Sequence, residues 1–221
     1  IPKLGGYDLQ DLTPLLIQRY IMELLQSGNL KNGMGLSVNS VDGILSVIQN
    51  SLKTAYAIEL IPNYTMNKIK RPKIAEKQVS CFSAEEQKTI EKAVMKDKRD
   101  KMKGIILCLY TGLRIGELLA LEWENIDFSR AELIVNKSCY DGKNENGIFC
   151  RMTDTPKTEN SKRMIPLPQP LLLLLKEMKD RSLSRYVIAA GEKTISVRSY
   201  QRSFELLQKK LKIPKKEFHA L

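Results

Sequence analysis

Residues 104–127, GIILCLYTGLRIGELLALEWENID, set a single arginine between two apolar runs. The first run, from Ile105 to Tyr110, breaks at Thr111-Gly112, and the second follows Arg114 and ends near Trp123. Arginine is rarely buried without a partner. A chain that places one here must either send it to solvent or give it a task. In the first case an amphipathic helix pair points Arg114 at water, and Glu117, three residues on, offers it an ion pair. In the second, a turn tightened by Gly112 holds the guanidinium at the mouth of a site, where its planar fork grips a phosphate or carboxylate.

Charge favours a polyanionic partner. Lys and Arg number 36 against 25 Asp and Glu, a net +11, which points to nucleic acid or an anionic membrane face. The longest apolar run is Leu171 to Leu175, far short of the roughly 20 residues of a membrane span, and no signal peptide is visible at the start. Cys81, Cys108, Cys139 and Cys150 have no C-x-x-C spacing and accompany a single histidine, so a zinc site is not expected and the thiols read as those of a reduced, cytosolic protein. With 221 residues, 43% of them hydrophobic, the chain has enough apolar material for one large domain or two small ones.

Thr13-Pro14 is a helix start, and the apolar pattern after it closes at Gly28. From Asn39 to Leu60 the apolar residues recur at helical spacing. Residues 62–80 lose that periodicity, carry Lys68, Lys70, Arg71 and Lys73 with two prolines, and read as an extended basic stretch. The expected division is a helical domain over 1–69, a basic linker over 70–80 and a second domain over 81–221. Ser83-Ala-Glu-Glu86 is a capping box that opens the second domain with a helix to about Met95.

After Asp127 the pattern turns to short strands. Glu132 to Ser138, Ile148 to Met152 and Arg163 to Leu167 are expected strands, with a Gly- and Asn-rich tip at 141–147, and Leu171 to Met178 is a short helix. Ser196 caps a helix whose apolar stripe is Val197, Tyr200, Phe204, Leu207 and Leu211. The fold class expected is mainly α with a small antiparallel sheet, an α+β chain. Residues 193–216 hold eight cations, Arg198, Arg202, Lys209 and Lys210 among them, against Glu205 alone, a net +7 of the chain's +11. That concentration suits contact with a phosphate backbone.

Cleaving a phosphodiester needs cations where negative charge develops and an acid for the departing oxygen. Arg114, Lys157 and His219, in that order, supply those groups. Each also has an ordinary alternative: a solvated helix charge, a loop lysine, a capping or core histidine.

The segments TGLRIGELLALEWENIDF, TPKTENSKRMIPL and FHAL resemble, in order and spacing, the first arginine box, the lysine-bearing hairpin and the start of the H-x-x-R box of the tyrosine recombinases, the phage-type integrases, and particularly those of conjugative transposons. The resemblance covers nearly the whole chain. It implies a C-shaped clamp on double-stranded DNA, built from a core-binding and a catalytic domain, acting without metal, ATP or other cofactor. It also implies Arg114 on the scissile phosphate, Lys157 as general acid, His219 in proton transfer and phosphate binding, and Glu117 in support of the arginine. Lys68, Lys70, Arg71, Lys73, Arg198, Arg202, Lys209 and Lys210 are the expected DNA contacts. In the family a tyrosine attacks the phosphate and forms a 3′-phosphotyrosine, within a homotetramer on two DNA sites.

The family's second arginine is expected immediately after Leu221, with the tyrosine beyond it, and the start of the core-binding domain ahead of Ile1. The polypeptide is therefore expected to be a fragment that binds DNA without cutting it. A non-catalytic, sequence-specific DNA-binding clamp is the competing reading. An enzyme acting on a small phosphorylated substrate would need a Gly-rich phosphate-cradling loop, and none is found.

Overall fold

The structure, a computed structural model, describes residues 3–73, 80–154 and 162–221. The chain separates into two compact units, Ile1–Gln78 and Val79–Leu221.

The first unit is built on two helices. α1, Pro14–Ser27, starts as its residues dictate: the Thr13 hydroxyl accepts the Leu16 N–H at 3.3 Å and Pro14 takes the first helical position. α2, Val38–Ala57, is capped by Ser37. Ile17, Ile21 and Leu24 on α1 and Val41, Leu45, Ile48 and Leu52 on α2 form one buried cluster. The stretch read as extended from residue 62 is part of this unit for several residues. Met66–Lys68 forms a 3-10 turn with Met66 buried, Tyr64 and Ile69 pack on the cluster, and the Lys70 backbone exchanges hydrogen bonds with the Gln18 side chain. Two apolar anchors, Met66 and Ile69, separated by polar residues carry too weak a period to stand out in the sequence.

The second unit opens with α3, Ala84–Lys96, on the expected capping box: Ser83 accepts the Glu86 N–H at 3.2 Å and Glu86 accepts the Ser83 N–H at 2.7 Å. α4, Asp100–Thr111, ends at Gly112 in the left-handed region, φ +64°. α5 is only Ile115–Ala120. The apolar run continues to Trp123 but the helix does not. Leu121 is extended and its carbonyl accepts the Val187 N–H, Trp123 N–H donates to the Arg185 carbonyl, and Trp123–Asn125 is a 3-10 turn.

The strands form two antiparallel sheets. β1 (Ile126–Asp127), β2 (Glu132–Val135) and β5 (Arg163–Pro166) lie in the order β1-β2-β5, while β3 (Ser138–Lys143) pairs with β4 (Phe149–Asp154). This corrects two expectations. The strand predicted over 132–138 stops at Val135, and the predicted tip over 141–147 is strand as far as Lys143. The turn needs fewer residues than the composition suggested. The Asn144 side chain accepts the N–H groups of Asn146 and Ile148, and Gly147 takes φ +75°, so Asp141 to Lys143 are free to pair with Phe149 to Arg151.

α6, Gln169–Arg181, and α7, Val197–Lys210, complete the unit. Ile90, Leu118, Leu119, Leu133, Ile188 and Tyr200 are at the centre of one continuous core. The described residues are thus mainly helical with small antiparallel sheets. No helix among them is long and apolar enough to cross a membrane.

Candidate functional site

Arg114 sits at the junction of α4 and α5. Gly112 turns the chain, Leu113 buries itself, and Arg114 stands at the N-cap of α5 with extended backbone and 71% of its side chain exposed. α5 is held close to β3: a Cβ on Gly116 would lie 2.5 Å from the Cys139 carbonyl oxygen and 2.6 Å from the Ser138 hydroxyl. The Arg114 backbone is therefore placed by a tight turn on one side and a close backbone approach on the other.

Glu117 is the charged residue beneath it. Its side chain is only 9% exposed and three groups converge on it. The Arg114 N–H donates at 2.9 Å, the Arg114 Nη1 reaches it at 3.3 Å, and Arg163, from β5, donates through both terminal nitrogens at 2.9 and 2.8 Å. Burial pushes the Glu117 carboxyl upward, but the hydrogen bonds from Arg163 and Arg114 outweigh it and hold the group below the usual carboxylate value. The same pairing raises Arg163 further.

His219 lies on a 3-10 turn, Phe218–Ala220. Its ring is exposed, and its neighbour Phe218 is the anchor. Phe218 meets Phe204 and Tyr200 edge-on at 5.1 and 5.8 Å between ring centroids. Upstream, the buried Gln208 clasps the Lys216 backbone from both sides, at 2.7 and 3.1 Å. Arg114 and His219 thus belong to different elements anchored in one core. Lys157 falls outside the described residues.

Among the described residues the basic ones divide into free and engaged groups. Arg198, Arg202, Lys209 and Lys210 are exposed on α7 and make no ion pair with the described residues; Arg198, Arg202 and Lys209 help to line an open groove of about 750 Å³. Lys216 instead caps the first turn of α3, pairing with Glu86 and the Cys81 carbonyl over the Phe82 ring, and Lys215 pairs with Glu205 at 2.8 Å. α7 itself is fixed to the β3–β4 hairpin: the Asp141 carboxylate accepts the N–H groups of Val197 and Arg198 at 3.2 and 3.0 Å. In the first unit Lys68, Lys70 and Lys73 are exposed, whereas the Arg71 guanidinium is engaged by Asp42 at 2.6 Å and by Gln49 on α2.

Arg163 is not among the residues expected from the sequence, although its strand position carries a signal. It is in phase with Ile165 on the inward face of β5, opposite Val135. An arginine at a core-facing strand position calls for a carboxylate, and Glu117 on an apolar helix makes the converse demand.

An exposed arginine on a rigid turn, a buried carboxylate behind it, a histidine on a pinned turn and a basic helix are carried by one α+β domain, and residues 76–221 match the model of the phage integrase family. The chain belongs to that family, the tyrosine recombinases. Its relatives include a XerC-like tyrosine recombinase of Caldanaerobacter subterraneus, 28% identical over 99% of this chain and 60% of the relative, and the ICEBs1 integrase of Bacillus subtilis, 30% identical over 78% of this chain and 44% of the relative. The chain therefore spans about half the length of these curated relatives. The fold is that of the Tn1549 transposon integrase in complex with a circular intermediate DNA, with a TM-score of 0.78 at 16% identity, covering 99% of this chain and 72% of that one. It is also that of the lambda integrase tetramer bound to a Holliday junction, with a TM-score of 0.65 at 19% identity, covering 99% and 60%.

Proposed function

We propose that the protein is a site-specific DNA recombinase that integrates and excises a mobile element by breaking and rejoining strands through a 3′-phosphotyrosine. The observation that carries this reading is the Arg114 guanidinium, held exposed on a rigid turn while the carboxylate beneath it is already satisfied by Arg163. A cation so fixed suits the non-bridging oxygens of a phosphate, where charge grows in the transition state.

In this reading Arg114 grips the scissile phosphate, and Glu117 supports it by accepting the Arg114 main-chain N–H. Lys157 delivers a proton to the departing 5′ oxygen and His219 assists proton transfer. The nucleophile is a tyrosine that the family places after the histidine box. Its hydroxyl gives up its proton, with His219 assisting, as its oxygen attacks phosphorus; the P–O5′ bond breaks, the 5′ oxygen leaves with the proton from Lys157, and the phosphodiester bond energy is kept in the new linkage for the reverse step. Arg198, Arg202, Lys209 and Lys210 on α7, with Lys68, Lys70 and Lys73 in the first unit, are the proposed backbone contacts, while Arg71 is held by Asp42 and Gln49. The partner is double-stranded DNA, and the active species is a tetramer on two sites; the lambda integrase of similar fold is a tetramer bound to a Holliday junction. The site of action is the bacterial cytoplasm.

The test is a suicide duplex that traps the covalent intermediate, used with the full-length protein on its own attachment sites. A denaturant-resistant protein–DNA adduct is expected, and its absence would sink the proposal. Arg114→Ala is expected to slow adduct formation by about a hundredfold to a thousandfold. Duplex affinity should fall only slightly in that variant, because Arg114 is one phosphate contact among many.

A further inference from the structure

We propose that Arg163 is a positioning residue whose task is to occupy Glu117, so that the Arg114 guanidinium is left free to bind phosphate. The inference rests on the reading of Arg114 as the phosphate grip.

Three groups compete for one buried carboxylate. Arg163 takes both oxygens in a forked pair at 2.9 and 2.8 Å, whereas Arg114 makes one longer side-chain contact at 3.3 Å and keeps 71% of its side chain in water. A charged carboxylate that is 9% exposed demands a charged partner. Without Arg163, the only guanidinium among the described residues in contact with Glu117 is that of Arg114. Its fork would close on Glu117 with the geometry that Arg163 now uses, and the face that should meet phosphate would be turned inward. The arrangement is a competition in which the arginine on β5 wins, and its winning leaves Arg114 available.

Arg163 is suited to this by its strand. It pairs opposite Val135 in the three-stranded sheet, so its approach to Glu117 is set by backbone hydrogen bonds. Arg114 approaches from the helix that carries Glu117 itself, three residues away, and gives up only its main-chain N–H and one nitrogen. A purely structural ion pair would need no second arginine left partly unsatisfied beside it.

The test uses side-chain nitrogen NMR of this chain, with Arg114 assigned by difference from Arg114→Lys. In Arg163→Met the Arg114 Nε–H and Nη signals are expected to move and their exchange with water to slow, before any ligand is added. Affinity for inorganic phosphate at Arg114 should fall about tenfold, the worth of one charge-assisted hydrogen bond. Adding Glu117→Gln to Arg163→Met should release Arg114 and restore both signals and affinity, because the trap is then uncharged; a purely structural pair would not be rescued this way. Arg163→Lys keeps the charge without the fork and should fall between, which covers failure of the methionine variant to fold. Unchanged Arg114 signals in Arg163→Met, or a folded double variant that rescues nothing, would overturn the inference. The ligand-free spectra report on Arg163 whether or not the full-length protein forms the covalent adduct, so the two proposals fail separately.

Discussion

Single residues in this chain are placed by satisfying buried charge. Lys103 is 7% exposed, and its ammonium donates to the carbonyls of Val94, Met95 and Asp97 at 2.5, 2.9 and 3.0 Å, closing the end of α3 from the neighbouring helix. Burial lowers its proton affinity, yet all three donors have acceptors. Lys103→Met is expected to destabilise the fold by about 1–3 kcal/mol in urea titration, since three carbonyls lose their partner. Glu117 gives a pH signature. Its folded carboxyl titrates below the ordinary value of 4.5, so its contribution to stability is fully present above about that pH and is lost as pH falls through the lower folded value. Glu117→Gln should flatten the acid limb of a stability–pH curve, and an unchanged limb would remove Glu117 from the account. At the turn, Gly112→Ala should cost about 1 kcal/mol through its positive φ, with no clash, because nothing lies within 4 Å of the added carbon.

The elements differ in how plainly the sequence declares them. α1, α2, α3 and α7 could be read because each has a side-chain cap and a regular apolar stripe, and the left-handed turn at Gly112 followed from a glycine between two apolar runs. The end of α5 could not be read, since Leu121 and Trp123 continue the apolar run while pairing with residues more than sixty positions later. The division of β2 from β3 was hidden for a similar reason: Val135 and Cys139 keep the same alternation across a change of sheet. Of the candidate site, Arg114 and Glu117 were legible from local spacing, whereas Arg163 depends on a contact 46 residues away in sequence. The tie between α7 and the hairpin can be tested directly. Asp141→Ala removes the side chain that receives two N–H groups at the start of α7, and should cost about 1 kcal/mol in thermal or chemical unfolding.

For the whole molecule the governing quantities are two separate cores and a charge of +11. Each core draws on its own unit, so residues 80–221 expressed alone are expected to unfold as one cooperative transition in calorimetry. Retention of a sharp transition only in the full 221-residue chain would refute that independence. The charge is not all available to a partner, since Lys103, Lys216 and Arg163 spend theirs inside the fold.

The contact between Tyr200 and α4 has a mechanical meaning. The Tyr200 hydroxyl donates to the Lys101 carbonyl at 2.8 Å beside Gly104, where an added Cβ would lie 2.5 Å from the Tyr200 hydroxyl oxygen. A helix advances about 100° per residue, so Arg198 and Arg202, two positions either side, point away from the face that Tyr200 buries. Gly104 therefore acts as the keyway for a shaft. Filling it would push the Tyr200 hydroxyl off the Lys101 carbonyl, so one added methyl group in α4 would break the bond that locks to it a helix nearly a hundred residues further along the chain.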